Sequence, residues 1–213
     1  MPVSTRNLAS LPDGPTLRRL MQSLAMLDAI MSPEWQDRYY SFNSKWSLGE
    51  EMGSMRNGSG DHWFSLFTQH GVALHGLDHE SVMFRPGSPW PGIFDSLPPQ
   101  FESFRTEPAF DTTNSTFCIW RAASDAGWSC GVSSFPEGDD PDGSERLLSI
   151  LDGVPRSYSE FASWYYEIEL PLASVEAIYR HQPLTNGLLA TLNPATTLAT
   201  LGQDLIEIGY PLY

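Results

Sequence analysis

Apolar positions follow three different periods along the chain. Leu17, Leu20, Met21, Leu24, Leu27 and Ile30 recur at steps of three and four residues, which is one face of a helix. Pro15, after Asp13-Gly14, suits the first helical position, and Ser32-Pro33 ends the run. From about residue 35 the period shortens and aromatic residues dominate. Tyr40 and Phe42 alternate, and residues 47–60 read as a glycine-rich connection. Residues 63–67 and 72–77 flank Gln69-His70-Gly71, whose third-position glycine suits a three-residue hairpin loop. A second hairpin is expected from residues 116–121 and 128–132, ending at Val132, around Ser124-Asp125-Ala126-Gly127. The proline-rich residues 86–99 are loop. A short helix follows in 94–104, burying Phe94, Leu97, Phe101 and Phe104, with Pro98-Pro99 at its start.

The helical period returns beyond residue 143. Ser144 is placed to cap a helix reaching Leu151. Pro155 opens another to Ile168, with Tyr158, Phe161, Ala162 and Tyr165 on one face, and a third covers 172–181. A fourth is expected from an Asn193 cap and Pro194, carrying Leu198, Leu201, Leu205 and Ile208. A helix, then strands, then helices implies an α+β fold. Its antiparallel sheet is built from central hairpins and packed by an N-terminal helix and a C-terminal helical group. One domain is expected over residues 1–213, strand-rich in 38–135 and helical in 143–209.

Charge narrows the function. The chain has 12 basic and 26 acidic residues, a net of −14. Phosphate backbones and anionic membranes attract basic patches, so neither nucleic acid nor membrane is expected as a partner. A basic protein partner is favoured instead. The excess is uneven: residues 137–213 hold twelve acids against Arg146, Arg156 and Arg180. Two cysteines, Cys118 and Cys130, do not make a secreted disulfide framework. With no apolar signal-like start and no spanning-length apolar run, a cytoplasmic location is expected.

Four of five histidines, His62, His70, His75 and His79, fall within eighteen residues. On a hairpin, His75 and His79 share a face but stand roughly 13 Å apart at about 3.3 Å per residue. If Thr68 opposes Val72, Asp61 faces His79 and His62 faces Asp78, unless a bulge shifts the register by one. Convergence on one metal is not expected, and paired histidines stabilising the hairpin are preferred. The alternative is a pocket of Arg56, Asp61, His62, His75, Asp78 and His79 serving a small hydrolase or ligand-binding enzyme. The run from Gly53 to Gly60 lacks the lysine and strand–loop–helix context of a phosphate loop and reads as a turn. The acidic loop 137–145 fails as an EF-hand, with Gly138 and Ser149 at the end ligand positions. No serine elbow is present, and Glu167 and Glu169 form no defined acid–base pair. No catalytic residue, metal or cofactor is therefore expected.

The runs Phe42-Asn43-Ser44-Lys45-Trp46, Met55-Arg56-Asn57-Gly58-Ser59-Gly60-Asp61 and Gly76-Leu77-Asp78-His79-Glu80-Ser81 carry a resemblance. With Trp90-Pro91-Gly92 and Glu107-Pro108-Ala109-Phe110, they resemble uncharacterised bacterial proteins. As an acidic α+β chain it is also distantly similar to SMI1/KNR4-type immunity proteins. The acidic excess in residues 137–213 and the absence of a convergent catalytic set favour a binding role, most concretely that of an immunity protein neutralising a basic toxin domain. Asp139, Asp140, Asp142, Glu145 and the loop tryptophan Trp90 are the expected docking residues. A structural subunit of a larger assembly is a third possibility.

Overall fold

The computed structural model describes residues 2–131 and 134–211. Asp13 starts the first helix, α1 (Gly14–Met31), by accepting a 2.9 Å bond from the Thr16 amide, with Pro15 in the first turn. The expected apolar face is buried, and from Leu20 to Met31 every residue of α1 is buried. The helix is central, so its polar residues need internal partners. Gln22 donates to the Ile208 carbonyl at 2.9 Å, and Ser23 to that of Ile178 at 3.1 Å. Asp28 accepts from the Tyr40 amide at 2.8 Å and the Tyr158 hydroxyl at 2.6 Å.

Among the described residues, six strands follow: β1 (Tyr40–Ser47), β2 (Glu50–Arg56), β3 (His62–Thr68), β4 (Gly71–Leu77), β5 (Phe117–Ala122) and β6 (Ser129–Cys130). They form one antiparallel sheet in chain order. The strand β2 replaces half of the connection expected over 47–60. Its Gly53 is not a loop residue: a Cβ there would lie 2.7 Å from Met21 Sδ and 2.9 Å from Ser65 Oγ. Glycine at that point lets α1 approach the sheet. Val132, the expected end of the second hairpin, lies outside the described residues.

The β3–β4 hairpin differs by one residue from the expected register. Thr68 opposes Gly71, leaving a two-residue Gln69-His70 loop, so His62 faces Leu77 and Phe64 faces His75. A one-residue slip re-pairs every position of the ladder. The His62–Asp78 pairing is therefore not made, and His79 lies beyond the end of β4 rather than on it.

Both sheet faces are covered. Tyr40, Phe42, Met55, Trp63, Phe67, Val72, Leu74, Phe117 and Ile119 pack with α1 and the C-terminal helices. On the opposite face, Leu66, Ala73, Cys118 and Trp120 pack under Phe101, Phe104 and Phe110. Those phenylalanines come from a 3-10 turn at Pro99–Phe101, the short helix α2 (Glu102–Thr106) and the turn Pro108–Phe110. Phe94 and Leu97 are only partly buried and precede the helix.

The C-terminal third supplies α3 (Ser144–Leu148), α4 (Pro155–Tyr165), α5 (Leu172–Tyr179), α6 (Asn186–Leu192) and α7 (Gly202–Ile208). The cap of α3 is Gly143, not Ser144, and the Asp140 carboxylate satisfies the Glu145 and Arg146 amides, both at 3.0 Å. The helix α4 stops at Tyr165, leaving Ile168 exposed. Asn193 does not start a helix. It ends α6, and its amide group donates to the Ile30 carbonyl at the end of α1, 2.8 Å away. The final helix starts only at Gly202. Among the described residues, no helix is long and apolar enough to cross a membrane.

Candidate functional site

Between β2 and β3 the chain reverses through Asn57-Gly58-Ser59-Gly60. Gly58 and Gly60 take positive φ, and Asn57 Oδ1 accepts from the Ser59 amide at 2.8 Å and the Asp61 amide at 3.0 Å. Asn57 Nδ2 donates to Asp61 Oδ2 at 2.8 Å. The glycine-rich run is thus a turn, and it aims Asp61. At the end of β4 the chain delivers Asp78 and His79 to the same place. Asp61 Oδ1 accepts from the His79 amide at 3.0 Å and from His79 Nδ1 at 2.6 Å.

The third contributor is α3. Gly143, at φ 75°, sits so close that a Cβ would lie 2.2 Å from Asp78 Oδ2. This approach lets Arg146 Nη2 reach both Asp61 Oδ2 and Asp78 Oδ2, each at 2.8 Å. The carboxylates are almost fully buried, whereas the side chains of His79 (40% exposed) and Arg146 (51% exposed) face solvent. Burial raises the pKa of nearby Tyr39.

The bonding fixes protonation states. Burial alone would raise the Asp61 pKa, but the His79 amide, the His79 ring and Arg146 together hold it below the ordinary carboxylate value. An ionised carboxylate only accepts, so His79 Nδ1 carries the hydrogen. The bond to Asp61 raises the His79 pKa above 6.5. In the neutral ring, Nε2 is then the bare lone pair. The group can therefore take up a proton at Nε2 while Asp61 stabilises the resulting imidazolium.

The same atoms bear on metal binding. One donor atom each from Asp61, Asp78 and His79 lie within 4.8 Å of one another. Two carboxylates and an imidazole suit a divalent ion such as Mn²⁺ or Zn²⁺. The Arg146 guanidinium already bridges the two carboxylates, so an ion would have to displace it.

The other expected pocket residues lie elsewhere. His75 is fully buried on the Phe104 face, its Nδ1 2.7 Å from Ser115 Oγ, and burial lowers its pKa to about 3. His62 approaches it, with ring centres 5.9 Å apart, and burial lowers its pKa as well. Two histidines thus meet, but neither is the one that bonds to Asp61. Arg56 stacks on Trp35 at 4.0 Å, and His70 lies exposed in the hairpin loop.

The expected docking loop is largely engaged in holding the fold. Asp142 is fully buried, accepting from Thr5 Oγ1 at 2.5 Å and Ser144 Oγ at 2.7 Å. Asp140 caps α3, Glu145 is half-buried, and Asp139 is exposed. Trp90 is half-buried under the Arg85 guanidinium, 4.4 Å from its ring. Glu167 and Glu169 are exposed. Arg146 was not foreseen as a site residue. The available signal was its being one of three basic residues in the acidic third.

No family model matches the chain, and no curated protein or solved structure is significantly similar to it.

Proposed function

We propose that the chain is a small cytoplasmic hydrolase or ligand-processing enzyme whose working group is the Asp61–His79 dyad. The observation that carries this reading is the 2.6 Å contact between a buried carboxylate and Nδ1 of a partly exposed imidazole. Such a carboxylate holds the ring in one tautomer and stabilises its protonated form, the support a histidine needs to act as a general base and then a general acid. The upward shift from 6.5 brings its titration toward neutral pH. Arg146 places a half-exposed guanidinium beside the dyad, where it would meet negative charge developing on a substrate oxygen. Asp78 holds that guanidinium from the other side.

A second reading rests on the three donor atoms within 4.8 Å. In it, Asp61, Asp78 and His79 would hold a divalent ion in place of Arg146, and the chemistry supplied there would be the activation of a water.

Turnover of chromogenic esters and phosphoesters by the purified chain tests both. The dyad reading expects activity that survives a chelator and falls at least about a hundredfold in His79→Gln and in Asp61→Asn. Equal rates in wild type and His79→Gln would remove the dyad from the reaction. Activity that requires added Mn²⁺ or Zn²⁺ would favour the second reading.

A further inference from the structure

Three large exposed apolar side chains lie at and just after the end of α4, and a fourth lies in the turn at Trp35–Asp37. Trp164 is 69% exposed, Trp35 49%, Tyr165 36% and Ile168 43%. The two segments are tied together. Tyr165 donates to the Asp37 carbonyl at 3.1 Å, which ties the end of α4 to the turn bearing Trp35. Tyr39 packs edge-on against Tyr165 and Trp164, with ring centres 4.5 and 6.4 Å away, and Phe161 stacks under Tyr165 at 5.5 Å. Exposing this much aromatic surface is unfavourable in water unless something covers it.

Charge indicates what covers it. Residues 34–37 and 160–169 carry Glu34, Asp37, Glu160, Glu167 and Glu169, all exposed, and no basic side chain. Glu160 stands one helical turn before Trp164 on the same face of α4. Of the nearby basic residues, Arg38 is buried and paired with Asp204, Arg146 is paired with Asp61 and Asp78, and Arg156 stands a turn earlier than Glu160. Arg56 shows what the surface accepts, because its guanidinium lies 4.0 Å over the Trp35 ring. An aromatic centre with an acidic rim offers cation–π and ionic contacts to arginine and lysine, and large rings anchor protein interfaces.

We propose that Trp35, Trp164, Tyr165 and Ile168, with their acidic rim, dock an arginine- and lysine-rich segment of a partner protein. This surface is distinct from the loop 137–145, and it stands or falls independently of the dyad chemistry. The occupant is a basic segment and not a second copy of the chain, because two acidic rims would repel across a self-complementary interface.

Calorimetric titration of the intact chain with nonaarginine tests it, at about 50 and 200 mM salt. Saturable, salt-weakened binding is expected. Trp164→Ala should weaken it about tenfold, and the combined Glu160→Gln, Glu167→Gln and Glu169→Gln variant should weaken it similarly and flatten the salt dependence. Glu137→Gln with Asp139→Asn should change it less than about twofold. Wild-type affinity in Trp164→Ala, or an equal loss in the loop variant, would overturn the assignment. So would a sedimenting dimer that Trp164→Ala dissociates. Trp164 is largely exposed, so its truncation leaves the fold intact, and thermal melting verifies this.

Discussion

Asp61 and His79, eighteen residues apart, are joined twice: His79 donates to the same carboxylate oxygen from its backbone amide and from its ring. Two bonds from one residue fix both the position and the rotation of the imidazole. The Asn57 turn aims Asp61 from one side, and α3 brings Arg146 from the other. The site is therefore a junction of three segments. Its geometry depends on how closely they approach.

The closest approach is Gly143 against Asp78, and it predicts a paired result. Gly143→Ala adds a methyl carbon 2.2 Å from Asp78 Oδ2 at a backbone φ of 75°. Gly153→Ala has nearly the same φ, 76°, with nothing within 4 Å. Chemical denaturation should show a loss of about 1–2 kcal/mol for Gly153→Ala, from backbone strain alone. Gly143→Ala should lose more, and it should also separate Arg146 from the carboxylates. Equal losses would mean that the Asp78 contact is unimportant.

A second prediction concerns the core. Asp28 is fully buried, and desolvation raises its pKa to about 6 against the Tyr158 and Tyr40 bonds that lower it. A carboxylate with a raised pKa favours folding at low pH, and that contribution is lost as pH rises through about 6. Tyr158→Phe removes a 2.6 Å bond to the charged form. The variant should be destabilised by about 1–3 kcal/mol, more at pH 8 than at pH 5. A loss that is independent of pH would contradict an ionising Asp28.

His75 makes the opposite pH prediction. Its pKa falls from 6.5 to about 3, so the unfolded chain binds its proton first as the medium is acidified. Stability it contributes above pH 6.5 is lost as pH drops toward 3, at a slope approaching about 1.4 kcal/mol per pH unit. His75→Leu should flatten that limb of the stability–pH curve by about one proton. An unchanged slope would show that the ring is not held neutral.

The α+β class and the order of elements were legible because the apolar period changes with each kind of element. α1 was legible down to its first turn, since Asp13 and Pro15 act locally. The misreadings share a cause: each signal was local and its purpose was not. Gly53 looks like a loop residue until Met21 is packed on it. Asn193 looks like a cap until Ile30 offers it a carbonyl. The Asp61–His79 contact was anticipated from an assumed ladder pairing. It forms although the register is shifted, because both residues lie beyond the strand ends. Arg146 and the burial of Asp142 depend on where α3 docks, which charge alone does not encode.

The most direct test of the dyad is the ¹⁵N spectrum of the His79 ring followed from about pH 5 to about pH 9. A hydrogen held at Nδ1, a bare Nε2 above the titration and a pKa above 6.5 that drops in Asp61→Asn are the predicted results. A ring that titrates at or below 6.5, or that carries its neutral-state hydrogen on Nε2, would contradict the account.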